Sequence, residues 1–133
     1  MAGMNLALTK VDVVNLFVED LAGTSAFYQE IFGLRPAFED DGASVFTFEN
    51  VTVCLTDASG ARDLVAPAAV ASSGAGSRFV LAAFVDDVEA ACAELEQRGV
   101  ALLNGPVDRP WGVRTAAFAD PAGHIWEIAQ DLD

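Results

Sequence analysis

Positive charge is scarce in this sequence. Seven lysines and arginines stand against twenty aspartates and glutamates, for a formal net charge of −13. Binding nucleic acid or an anionic membrane requires Lys and Arg to neutralise phosphates, so neither partner is expected. The excess acid reads as a solubility device. Cysteine is nearly as scarce: Cys54 and Cys92 are the only two, far apart and each in an apolar segment. Buried free thiols in a reducing compartment are the expectation. No apolar run approaches the ~20 residues of a membrane span. The opening stretch, MAGMNLALTK, lacks the basic region and long apolar core of a secretory signal, so a cytoplasmic protein is expected. Also missing are a Ser-His-Asp set, a phosphate-cradling glycine loop and any Cys/His metal spacing.

What the sequence does have is apolar material. Of 133 residues, 53% are hydrophobic and 20% charged, which places the chain among globular proteins rather than disordered ones. A chain of this length forms one domain and buries roughly two-thirds of its unfolded surface.

The chain is written twice. VEDLAGTSAFYQEIFGL, starting at Val18, aligns with VDDVEAACAELEQRGV, starting at Val85. Val18, Asp20, Leu21 and Ala26 match Val85, Asp87, Val88 and Ala93, and Gly33 matches Gly99 after a one-residue slip. In each copy an apolar strand (Val11 to Val18; Phe79 to Val85) runs into an aspartate that can cap a helix. Val88, Ala91, Cys92 and Leu95 form a helical stripe in the second copy, and Phe27 and Ile31 form an i, i+4 pair in the first. The two glycines suit the left-handed residue that ends a helix. Further strands follow in each copy, SVFTFE and VTVCLTD in the first, RTAAFAD and HIWEIAQ in the second, the last two joined at Pro121-Ala122-Gly123. The expectation is a single α+β domain over residues 1–133. Its first module spans about 8–57, a flexible linker rich in small residues about 58–77, and its second module about 78–131. Half-domains this small must pack on each other or on a second chain.

These motifs resemble the vicinal oxygen chelate superfamily, which includes glyoxalase I, extradiol dioxygenases and bleomycin-resistance proteins. The resemblance rests on VEDLAGTSAFYQEIFGL and on FADPAGHIWEIAQ, and it covers nearly the whole chain. It implies two paired βαβββ modules whose curled mixed sheets surround a cavity, and assembly as a homodimer. Family metalloenzymes take one ligand from each of several cavity-facing strands, two His and one or two Glu. Carried onto this sequence, the four positions are Val13, Cys54, Val80 and Glu127, so only the last holds an expected ligand. Neighbouring residues restore no histidine, and His124 stands in the hairpin turn. A divalent site needs about three protein ligands, so no metal and no cofactor are expected.

Glu127, between Trp126 and Ile128, is open to three readings. It is an acid hydrogen-bonded to its surroundings or facing water, a cavity carboxylate that orients a ligand or acts as general base, or a metal ligand. Trp111 and Arg114 lie in DRPWGVRT, a turn shaped by Pro110 and Gly112. An indole beside a guanidinium suits a planar or anionic ligand; alternatively, Trp111 covers the core edge and Arg114 pairs with a surface acid. Strand alternation puts Asn15, Cys54, Phe84 and Glu127 on matching faces, together with Val13, Phe17, Thr52, Thr56, Val80 and Ala82. Such a lining suits an apolar or aromatic small molecule, although the same alternation also fills an ordinary core. Phe38, Phe46 and Phe48 are expected in packing or dimer contacts, and Tyr28 in the core with its hydroxyl at an edge. The expected function is metal-independent binding of an apolar or aromatic small molecule, serving drug or metabolite sequestration. The alternative is a metal-dependent or Glu-based lyase, isomerase or dioxygenase of the same superfamily, with Glu127 as its catalytic base, so whether the protein is an enzyme stays open.

Overall fold

The computed structural model describes residue 6 and residues 8–133. The signal-peptide expectation, where it concerns residues 1–5 and 7, lies outside the described residues. Eleven elements follow in order: β1 (Val13–Val18), α1 (Leu21–Phe32), β2 (Phe38–Glu39), β3 (Ala43–Thr47), β4 (Thr52–Asp57), α2 (Ala58–Val65), β5 (Leu81–Phe84), α3 (Val88–Gln97), β6 (Leu102–Asp108), β7 (Val113–Ala119) and β8 (Ile125–Asp131). They form two four-stranded mixed sheets, ordered β1-β4-β3-β2 and β5-β8-β7-β6. In each, the opening strand pairs in parallel with the closing one and the remaining pairs are antiparallel. The two copies read from the sequence therefore have the same topology.

The aspartates act as expected. Asp20 accepts a hydrogen bond from the Gly23 N–H, and Asp87 accepts one from the Ala90 N–H. Each N-cap stabilises its helix by about 1 kcal/mol. Gly33 closes α1 at φ 67°, a left-handed conformation that costs other residues energy.

Alternation along the strands separates two faces. Leu16 and Val18 of β1, Val53 and Leu55 of β4, and Phe118, Trp126 and Ile128 of the second sheet point inward and are buried. Helix α1 lies against both sheets. The Tyr28 ring packs at 5.8 Å from Phe46 and 6.2 Å from Trp126, and Phe32 lies 4.7 Å from Trp126 and 6.4 Å from Phe118. Helix α3 contributes Val88, Cys92 and Leu95 to the same core. The sheets share this helix-filled interior and remain open, β1 and β5 each ending a sheet. On the outward faces Val13, Phe38 and Phe84 are exposed, whereas Thr115, Ala117 and Ala129 of the second sheet are buried, and the described chain does not close the two faces into one cup.

Four sequence expectations change in detail. The linker begins as a helix, α2, because Asp57 caps it by accepting from the Ser59 N–H and hydroxyl, and the helix buries its own Ala61. Cys54 is only partly buried, since alternation turns Val53 and Leu55 inward and leaves Cys54 outward with Thr52 and Thr56; Cys92 is buried and both thiols are free. The Tyr28 hydroxyl is not at an edge: the side chain is fully buried. Val80 falls just before β5 and is half exposed.

Candidate functional site

The outward face of the first sheet is mixed: Asn15, Thr52, Cys54 and Thr56 share it with Val13, Phe17, Val45 and the exposed Phe38. Asn15 and Cys54 are register partners across β1 and β4. The Thr56 hydroxyl donates to Asn15 Oδ1 at 3.2 Å and lies 3.5 Å from Cys54 Sγ. Because that carboxamide oxygen is engaged, the Asn15 amide group is left to donate. On the second sheet Glu127 sits between Ala82 of β5 and Ala117 of β7, its register partners. Its carboxylate is half-buried, and among the described residues no lysine or arginine pairs with it. Of the two flanking alanines, Ala82 is exposed and Ala117 is buried. Phe84, on the same outward face, is 66% exposed.

Trp111 and Arg114 part company. Trp111 is 70% exposed in the β6–β7 turn. Arg114 is held by Asp108 across the same hairpin, its Nε donating to Oδ1 at 2.7 Å and its Nη2 to Oδ2 at 3.3 Å. That hydrogen bonding holds the Asp108 carboxyl below the usual carboxylate range and pushes the guanidinium up. A guanidinium already bound on two nitrogens has fewer donors left for a ligand. The structure thus groups Asn15 with Cys54, and Phe84 with Glu127, on two separate sheets. Trp111 and Arg114 sit at the β6–β7 hairpin end of the second sheet, Arg114 within β7 opposite Gln130 of β8.

Asn15 also borders a half-open cavity at the end of its strand, and a larger one of about 600 Å³ lies beside β5 with Phe84 in its lining. The first, of about 280 Å³, opens beside the end of β1, walled by the segment before β5 and by the β7–β8 turn. Asn15, Phe17, Arg78, Phe79, His124 and Ile125 line it, so of the expected ligand-binding residues only Asn15 takes part. His124 Nε2 lies 2.9 Å from the Phe17 carbonyl oxygen. A carbonyl can only accept, so Nε2 carries the proton and Nδ1 holds the lone pair in the neutral ring. Gly123 lets the turn come this close: its φ is +94°, and a Cβ there would lie 3.0 Å from the Ser73 carbonyl oxygen. Sequence reasoning passed over this region because residues 58–77 read as a featureless connector. The available signal was Arg78-Phe79 directly after it.

The turn itself is anchored by a residue the sequence reading did not single out. Asp120 is buried and accepts from the Tyr28 hydroxyl at 2.7 Å and from the Ala122 and His124 N–H groups at 2.9 Å each. Trp126 Nε1 donates to the Tyr28 oxygen at 2.9 Å. Burial and the neighbouring Asp120 charge push the Tyr28 phenol far above its ordinary value.

The chain belongs to the Glyoxalase/Bleomycin resistance protein/Dioxygenase superfamily, whose model matches residues 10–128. It is 29% identical over 123 residues to the uncharacterized protein YraH of Bacillus subtilis (strain 168), covering 90% of this chain and 96% of that one. Its fold is similar to a glyoxalase-related enzyme from Fulvimarina pelagi, with TM-score 0.80, 29% identity, and 93% and 89% of the two chains covered. It is also similar to TnmS3, an antibiotic binding protein from Streptomyces sp. CB03234, with TM-score 0.70, 27% identity, and 96% and 99% covered.

The metal positions of the family can now be tested against these residues. Val13 and Val80 have no lone pair to give, which leaves one partly buried thiol and one carboxylate on different sheets. Among the described residues no three His, Cys, Asp or Glu side chains are grouped as a metal ion requires. The donors of one chain do not fit a divalent ion.

Proposed function

We propose that this protein binds a small organic molecule without the aid of a metal ion. The observation that carries the reading is the chemistry of the four family metal positions: valine, cysteine, valine and glutamate in place of a ligand set. The likeness to TnmS3, an antibiotic binding protein, supports a sequestering role for an apolar or aromatic compound. The exposed, outward-facing Val13 and Phe84 suit a homodimer in which a second copy covers them. Asn15, Cys54, Phe84 and Glu127 would then border the bound molecule, with Trp111 and Arg114 at its rim. Titration with naphthol and with naphthoate, each with and without EDTA, tests the reading. Saturable binding indifferent to EDTA is expected; binding that appears only with an added divalent ion contradicts it.

One observation favours a second reading. The half-buried Glu127 carboxylate, flanked by Ala82 and Ala117 with no cation paired to it among the described residues, is placed as a base would be for proton abstraction. A Glu127→Gln variant that retains every turnover of the native protein removes that reading.

A further inference from the structure

The cavity beside β1 differs from every other depression described on this molecule in one respect. In a chain with twenty carboxylates, none lines it. A shallow pocket beside α1 holds Glu39, Asp40 and Asp41; another near α2 holds Glu19; the groove beside β5 holds Glu49. The cavity beside β1 holds Arg78 instead, and among the described residues no carboxylate lies in ion-pair range of it. Glu19 stays outside the lining and accepts from the Ser73 N–H at 3.2 Å.

Most of the remaining polar groups can donate, while His124 Nδ1 is an acceptor in the neutral ring. The Asn15 amide nitrogen is free because its oxygen is occupied by Thr56, and the Ser72, Ser73 and Ser77 residues bring hydroxyls. The walls are apolar and in part aromatic: Phe17, Phe79 and Ile125, with the His124 ring 6.3 Å from the Phe79 ring. A guanidinium and several donors facing aromatic walls match an anion attached to a flat apolar body. The volume of about 280 Å³ lies just below the roughly 300 Å³ lower end of pockets for drug-sized ligands, which suits an occupant of about one ring. The overall charge of −13 does not overrule this. At physiological ionic strength charges beyond about 8 Å are largely screened, so the groups lining the cavity decide its preference.

We infer that this cavity is a binding site for a small aromatic carboxylate, with Arg78 as the residue that selects the anion. The inference deepens the proposed small-molecule binding and rests on it. It moves the specificity to a segment, residues 71–79, that the metal positions do not include.

His124 is the only histidine in the chain, so its ring C–H resonances report on this cavity without further assignment. The experiment titrates the full-length protein with benzoate, benzyl alcohol and benzylamine. It compares native protein with Arg78→Gln, and with Arg35→Gln as a control arginine that does not line the cavity. Benzoate is expected to shift the His124 signals saturably, benzyl alcohol to bind about tenfold more weakly or worse, and benzylamine not to bind. Arg78→Gln should weaken benzoate by about tenfold or more at unchanged Tm, and Arg35→Gln should leave it unaltered. Benzyl alcohol binding as well as benzoate overturns the anion preference, and silence of His124 toward all three probes overturns the site. Naphthoate binding that survives Arg78→Gln but is lost with Glu127→Ala overturns this inference while leaving the metal-independent reading intact. Binding that needs a divalent ion overturns that reading instead.

Discussion

The two modules share a topology and divide the labour. Helix α1 carries Phe27, Tyr28 and Phe32 and reaches both sheets, whereas α3 has no aromatic residue and packs on the strands of its own module through Val88, Cys92 and Leu95. The turn joining the last two strands differs in the same way. In the second module it is DPAGH, held by the buried Asp120; in the first it is the exposed segment around Glu49 and Asn50. One module supplies the clasp and the other the catch, so a repeated sequence has become an asymmetric molecule. The outward faces differ as well: the first sheet's has a hydrogen-bonded polar centre at Asn15, Cys54 and Thr56 among apolar residues, and the second's is alanine-rich with a lone carboxylate.

Breaking the catch should be the largest effect. Asp120→Ala strands the Tyr28 hydroxyl and two turn N–H groups, and unfolding by urea should show a loss of about 3–5 kcal/mol. Asn50→Ala, at the matching turn of the first module, should change stability by less than about 0.5 kcal/mol. Equal losses at the two turns would remove the asymmetry.

Tyr28 sharpens the same point, because it is the only tyrosine. Its phenol is raised in the folded state, so the stability it contributes is fully present below the ordinary value of 10.0 and is lost as the pH climbs above that. Tyrosinate absorbance should therefore appear together with alkaline unfolding. Ionisation near 10 with the fold intact would show that the clasp is open.

Two glycines give a smaller contrast. Gly123→Ala meets both a φ of +94° and the Ser73 carbonyl, and should cost about 2 kcal/mol by thermal unfolding. Gly33→Ala meets only the φ of +67° in open space and should cost about 1 kcal/mol. Glu39 gives the smallest effect. Hydrogen bonds from the Ser25 and Ser44 hydroxyls hold its carboxyl below the ordinary 4.5, so the stability it contributes is present above that pH and is lost as the pH falls through the depressed value. Glu39→Gln should lower neutral stability slightly and flatten the acid-induced loss below about pH 4.5. An acid transition identical to the native one would contradict it.

Local signals carried much of the fold. Asp20 and Asp87 as caps, Gly33 and Gly99 as helix ends and the period-two strands are all written within a few residues of where they act. The Tyr28–Asp120 bond was not legible, because its partners lie 92 positions apart and no pattern in either segment names the other. Alternation placed Asn15, Cys54, Phe84 and Glu127 outward, but it could not say that the two outward faces belong to separate open sheets. The Arg114–Asp108 pair was readable as one of two alternatives. The cavity near Arg78 was hidden in a stretch whose small residues carry no periodicity, and only tertiary folding brings it against Phe17 and His124.

The measurement that bears most directly on the central claim is the metal content of the purified, untagged protein after dialysis against zinc, nickel, manganese and iron salts and then buffer. Far less than one metal ion per chain, unchanged in Glu127→Ala, is the predicted result. One ion per chain that disappears with Glu127→Ala would contradict the account and return the protein to the metalloenzymes of its family.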